Sequence, residues 1–263
     1  MKIFLISFER GILMINAINL EKYIFQITSL SSFYNYCKTV FKNEQAKNEI
    51  KEQEVENMYN TAKSIKSFKF DSQDFLNKFI SNIEINVDKN INKGINILRQ
   101  QILVSVFSIF ENYLGHVAKI YLNIFPKMLK KSKNKINTRD IVELKDNAIF
   151  QYILKKEIIY FDRLGLKDKK EYLSKILTYD TYNDLWKLDE KELWIEINEK
   201  RNMIVHSDEI VELSEEQFAS YLFYFERIML GIAVYAKYYQ GVNIIFAKFN
   251  EQIPEKGKPI FKP

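Results

Sequence analysis

The chain is poor in the residues that punctuate or cross-link a fold: across 263 residues it has one cysteine, four prolines, seven glycines and two histidines. A lone thiol, Cys37, excludes an intramolecular disulfide framework and a cysteine-built zinc site, and it suits a reducing compartment. Cys37 itself reads as a core or half-buried side chain rather than a nucleophile. With His116 and His206 the only imidazoles, a metal centre would have to be mostly carboxylate. No carboxylate and histidine spacing of the usual kind is present, so no metal and no other cofactor is expected. So few glycines and prolines cannot supply the many tight turns of a β-sandwich or barrel, and the scarcity favours helices.

Long apolar runs are missing too. A membrane-crossing helix needs about 20 apolar residues. The nearest approach, Ile228 to Ala236, is short and is flanked by Arg227 and Lys237. The opening Met1 to Phe8 is apolar like the start of a signal peptide, but Glu9 and Arg10 interrupt it too early. The expectation is a soluble, cytoplasmic protein with no membrane partner.

What is present is apolar bulk: 47% hydrophobic residues, enough to bury a sizeable core in one domain with an appended piece. The net charge of +5 and pI near 8.9 permit an anionic partner without demanding one. Lysine, asparagine, isoleucine and phenylalanine are all heavily used, so lysine clusters are discounted accordingly.

The pattern predicts an all-α fold, a helical bundle with long antiparallel amphipathic helices. Residues 1–93 contain helical stretches, notably the charged Asn43 to Lys66, then a polar passage at Asn86 to Lys93; they form an N-terminal region of unread role. From Ile95 to Ile124 the residues Ile95, Leu98, Ile102, Val106, Ile109, Tyr113, Val117, Ile120 and Ile124 recur at three and four, as on a long amphipathic helix that Pro126 stops. Gln101, Ser105, Asn112 and Lys119 fall on its exposed face, with His116 at the border as a surface residue. Val104, Ser108, Glu111, Gly115 and Ala118 form a stripe of mostly small side chains that admits another helix. Glu111 within it either reaches water or pairs with a neighbouring cation.

Lys127, Lys130, Lys131, Lys133, Lys135 and Arg139 then crowd a connecting loop, either a solvated linker or a contact for an RNA backbone. Further helices are expected over Asp140 to Asp162 and Lys167 to Thr178, with Gly165 between them. Asp189 and Glu192 have the spacing that opens a helix, and Ser214 with Gln217 is a capping box opening another. The last helix carries Phe218, Leu222, Phe225, Met229, Ile232, Tyr235 and Tyr239 on one face. A bundle over 94–240 is thus followed by an irregular tail, 241–263, marked by Pro254, Gly257, Pro259 and Pro263.

Between the two caps lies Arg201-Asn202-Met203-Ile204-Val205-His206. Leu193, Trp194, Ile197, Ile204 and Val205 make the apolar face of this helix, and Arg201 falls within it. A guanidinium there must snorkel to water, pair with a carboxylate such as Glu111, or line a cleft. On a continuous helix His206 would point about 140° away from Arg201. A helix that ends near Val205 frees His206 to turn toward Arg201. Asn202 stands four residues before His206, close enough to orient the imidazole or to touch a phosphate.

A bare Arg to His spacing is weakly specific. Its setting is more so: a capped amphipathic helix, Asn directly after Arg, a short turn and a second long helix, all preceded by Val-Phe-Ser-Ile-Phe-Glu-Asn-Tyr-Leu at 106–114. That combination resembles the HEPN superfamily (higher eukaryotes and prokaryotes nucleotide-binding), over roughly residues 94–240. The family motif is Arg, a polar residue, three residues and His, matched by Arg201, Asn202 and His206. The resemblance implies a dimer whose motifs face each other and a metal-independent ribonuclease, of the kind found in toxin-antitoxin pairs and phage defence, with a possible antitoxin or regulatory protein as partner. One feature departs from it. The subgroup neutralised by adenylylation has Tyr two positions after the His, where this chain has Asp208.

The chemistry of RNA cleavage is compatible with two copies. Attack by a ribose 2′-hydroxyl needs a base, an acid for the departing 5′-oxygen and positive charge against the phosphorane. One chain offers one well-placed histidine, whereas two chains across a two-fold axis offer two His206 and two Arg201. The alternatives are a HEPN-like module that binds RNA or a nucleotide without cutting, and a helical interaction protein in which Arg201 bridges to Glu111.

Overall fold

The computed structural model describes residues 17–64, 73–131, 146–176, 191–207 and 210–246. Among these it is all-α, with seven α-helices and one pair of three-residue strands. In chain order they are β1 (Ala17–Asn19), α1 (Leu20–Lys42), α2 (Glu44–Ser64), α3 (Gln73–Ile124), a 3₁₀ turn (Pro126–Lys131), α4 (Asp146–Arg163), α5 (Leu166–Ile176), α6 (Lys191–His206), α7 (Glu215–Gln240) and β2 (Asn243–Ile245). The chain divides into two compact units, one of residues 1–27, 106–199 and 221–263, the other of residues 28–105 and 200–220.

In the first unit the later half of α3 is the central element. Phe110, Tyr113, Leu114, Val117 and Tyr121 are fully buried, and α7 supplies Phe225, Met229, Ile232, Ala233 and Ala236. Tyr113 Oη donates to the Met229 carbonyl at 2.8 Å, which satisfies a buried hydroxyl on the facing helix. Trp194 of α6 packs against Phe107, Phe110 and Tyr224, with ring centroids 5.9 to 6.4 Å apart. Gly115 belongs to the stripe of small residues, and a Cβ there would meet Asp162 Oδ1 at 3.3 Å, so α4 approaches α3 as closely as that stripe allows. Gly241 ends α7 in the left-handed region at φ 67°, its amide donating to the Lys237 carbonyl at 3.2 Å.

That turn feeds β2, which pairs in parallel with β1 in the register Ala17 to Asn243, Ile18 to Ile244 and Asn19 to Ile245. Residues 243–245, read from the sequence as irregular tail, are therefore ladder-bonded; three residues are too few for an alternating pattern to announce a strand. The strand also changes the reading of His116. It is half-buried rather than a surface residue, because β1 covers it: its Nε2 lies 3.2 Å from the Ala17 carbonyl and its ring 5.9 Å from that of Tyr23.

The second unit is built on the earlier half of α3. The sequence starts that helix near Ile95 and sets a boundary at 93/94, but α3 is unbroken from Gln73. The physical reason lies inside the polar passage, where Ile83, Val87 and Ile95 keep a buried stripe at multiples of four despite the surrounding Asn and Lys. Tyr34 of α1 packs its ring at a tilt against that of Phe218 of α7, centroids 4.9 Å apart, and its hydroxyl accepts from Arg99 Nη1 at 3.2 Å. The Ser214 and Gln217 box forms in full, with Ser214 Oγ accepting from the Gln217 amide and Gln217 Oε1 from the Ser214 amide, both at 3.1 Å.

By length and composition α7 alone, among the described residues, reaches the threshold for crossing a membrane, and 56% of its apolar window is buried inside the fold.

Candidate functional site

The motif helix α6 runs from Lys191 to His206, and its last turn closes with the Ser207 amide on the Met203 carbonyl at 2.8 Å. His206 is thus the final helical residue, one beyond the end near Val205 that the sequence suggests, and as part of the helix it stands about 140° round α6 from Arg201. Asp189, the expected cap, lies outside the described residues, as do Asp208 and Glu209.

Along α6 burial falls away toward the C-terminus. Ile197 is fully buried, Arg201 and Ile204 are half-buried, and Asn202 and His206 are exposed. Val205, expected on the apolar face, is 44% exposed; it lies about 80° round the helix from Ile197, past the edge of the buried stripe. Met203 is 51% exposed. The end of α6 therefore presents two apolar side chains beside an open imidazole.

Arg201 Nη1 donates to Asn202 Oδ1 at 3.0 Å. Sequence spacing had offered the Asn202 amide to His206; its oxygen is instead taken by the guanidinium next to it. The bond joins a guanidinium and an amide on an exposed stretch of helix, and both groups can donate to phosphate oxygens.

Glu111 is occupied elsewhere. Its Oε1 accepts from Lys169 Nζ of α5 at 2.8 Å, and that ammonium also sits 5.9 Å from the centre of the Phe161 ring. Lys169 is almost wholly enclosed, with 7% of its side chain exposed, so Glu111 supplies the counter-charge that a buried ammonium requires. Next to this pair, Tyr172 Oη donates to buried Glu157, and burial holds the phenol far above its usual range.

Of the basic passage, Lys127 is exposed at the start of the 3₁₀ turn, and Lys130 and Lys131 lie within that turn. Lys133, Lys135 and Arg139 lie outside the described residues. Cys37 is free and half-buried on α1. Among the described residues no three histidines, cysteines or carboxylates gather as a metal site would need.

Sequence reasoning missed the groups that hold the backbone after His206. Asn96 and Gln100 of α3 are buried, at 4% and 6% exposure, and both donate to the Val211 carbonyl, at 2.9 and 2.5 Å. Asn96 Oδ1 also accepts from the Leu213 amide at 3.1 Å. From α6, Lys200 Nζ donates to the Glu212 carbonyl at 3.0 Å. The available signal was two amides four residues apart, inside a stripe otherwise made of Ile95, Ile102 and Leu103. No family model, no curated protein and no solved structure matches this chain.

Proposed function

We propose that the protein is an endoribonuclease of the HEPN type, acting in the cytoplasm as a homodimer with RNA as substrate. The reading rests on the motif Arg201, Asn202 and His206, and the observation that carries it is the end of α6. The helix stops at His206, the imidazole is exposed, and half-buried Arg201, five residues back, donates to the Asn202 side-chain oxygen.

In the reaction, one imidazole accepts the proton of a ribose 2′-hydroxyl as its oxygen attacks the adjacent phosphorus. The second copy's imidazole gives a proton to the departing 5′-oxygen. The products are a 2′,3′-cyclic phosphate and a free 5′-hydroxyl, and atoms and charge balance without an added reactant. The Arg201 guanidiniums offset the charge that builds on the phosphorane oxygens. Met203 and Val205 supply apolar surface for a second chain to cover, which is where two copies of α6 would meet about a two-fold axis. A role in phage defence or in a toxin-antitoxin pair follows from the resemblance alone.

The test is RNA cleavage by purified protein in EDTA, with the product ends identified. Cyclic phosphate ends from the native chain, and none from His206→Ala or Arg201→Ala variants that keep their fold, support the reading. Undiminished cutting by both variants overturns it. RNA binding without cutting, weakened by neutralising Lys127, Lys130 and Lys131 and falling steeply with salt, would instead indicate a binding module.

A further inference from the structure

Within the second unit, the segment that follows the motif is held more firmly than a surface turn requires. Residues 211–213 have no regular secondary structure, yet their backbone groups are captured by side chains of two helices. The Val211 carbonyl and the Leu213 amide face α3 and meet the Asn96 side chain, whose amide nitrogen donates to one and whose oxygen accepts from the other. A primary amide used this way substitutes for a neighbouring strand. Gln100, one turn further along α3, gives the Val211 carbonyl its second donor. The Glu212 carbonyl is taken by Lys200 of α6, the residue immediately before Arg201. Val211 and Leu213 are buried, at 5% and 0% exposure, and Ser214 opens the capping box directly afterwards.

The backbone on the C-terminal side of His206 is therefore tied both to α3 and to the turn of α6 that carries Arg201. The His206 side chain is itself exposed, so its placement depends on that backbone more than on contacts of the ring. We infer that Asn96, seconded by Gln100, is a positioning residue for the His206 site: it fixes the 211–213 segment, and through it the angle at which α6 presents the imidazole. The inference rests on the ribonuclease reading, and neither amide touches the substrate.

A catalytic imidazole tolerates little misplacement, and an error of about 1 Å costs on the order of 100-fold in rate. Asn96→Ala removes both of its bonds and leaves the Leu213 amide buried without its acceptor. Gln100→Ala is the gentler variant, because Asn96 still holds both backbone groups. Val87→Ala serves as a control, since Val87 is buried on the same helix and in the same unit but takes no part in holding 211–213.

The experiment measures kcat and KM on RNA for the three variants and the native chain, together with the imidazole Cε1–H resonances of the two histidines. Asn96→Ala is expected to lower kcat by about 30-fold or more with KM within about 2-fold, and Gln100→Ala to lower kcat by about 3-fold. Val87→Ala keeps kcat within about 2-fold despite its loss of stability. In Asn96→Ala the His206 resonance moves or broadens while that of His116 stays in place. If Asn96→Ala does not fold, Gln100→Ala carries the comparison with Val87→Ala. Native kcat in Asn96→Ala, or an equal fall in Val87→Ala, overturns the positioning role. A native chain that cuts no RNA removes the ribonuclease reading alone; the His206 resonance then decides, and one unmoved by Asn96→Ala overturns the role.

Discussion

The chain's two histidines are held in opposite ways. His116, in the first unit, is half-buried beneath β1, with a backbone carbonyl on Nε2 and an aromatic ring at its side, and desolvation pushes its pKa below the ordinary value. His206, in the second unit, stands exposed at the last residue of its helix. The charged residues divide in the same way. Lys169 and Glu111 of the first unit close on each other in an enclosed pair, whereas Arg201 of the second leans on the amide of an exposed neighbour. Groups whose hydrogen-bonding capacity is taken up internally stabilise a fold. An imidazole and an amide left facing solvent remain available to a substrate.

The sharpest way to break this comparison is to remove each imidazole in turn. His206→Ala is expected to lower the rate of RNA cleavage by about 100-fold or more with the melting curve unchanged, as loss of a general acid or base requires. His116→Ala should leave the rate within about 3-fold and cost about 1 kcal/mol of stability, measured by denaturant unfolding, for the lost bond to Ala17. A reversal of the two results would relocate the site to the first unit.

Glu111→Gln tests the charged pair. It leaves the Lys169 ammonium buried without its counter-ion and should cost about 2 kcal/mol in urea unfolding, moderated because the Glu111 side chain is 27% exposed. Cleavage per folded molecule should be retained. Lost cleavage at native stability would return Glu111 to the catalytic machinery. A smaller loss, about 1 kcal/mol, is expected from Ser214→Ala, which removes the capping oxygen from the start of α7; circular dichroism melts read it directly.

The smallest effect is the pH dependence of stability. The folded chain holds His116 below the ordinary 6.5, so near that pH the unfolded chain binds a proton that the folded one refuses. Stability therefore falls on acidifying through about pH 6.5 and levels off below the folded-state pKa. His116→Gln should flatten this part of the Tm profile between pH 7.5 and 5.5.

Much of the fold was readable because helical periodicity is carried by many residues at once. Gln101, Ser105, Asn112 and Lys119 are all exposed as the 3.6-residue repeat places them, and the Ser214 box forms as its spacing requires. The continuity of α3 through 86–93 was hidden because its buried stripe there is one residue wide amid asparagine and lysine. The parallel pairing of β1 with β2 joins segments more than two hundred residues apart, a contact that no local pattern encodes. At the site, the Ser207-Asp208 pair and the new cap at Ser214 point to a helix end near Val205, and the helix ends one residue later, at His206. The amides of Asn96 and Gln100 were passed over because burial of a polar side chain depends on the backbone it meets, and that backbone lies over a hundred residues further on.

The central claim is that catalysis needs two copies of the end of α6. The most direct measurement is cleavage activity per chain, in EDTA, followed on dilution alongside sedimentation of the same samples. Activity that falls in step with the dimer fraction is the predicted result. A chain that sediments as a monomer throughout and cuts RNA at an undiminished rate per molecule would contradict it.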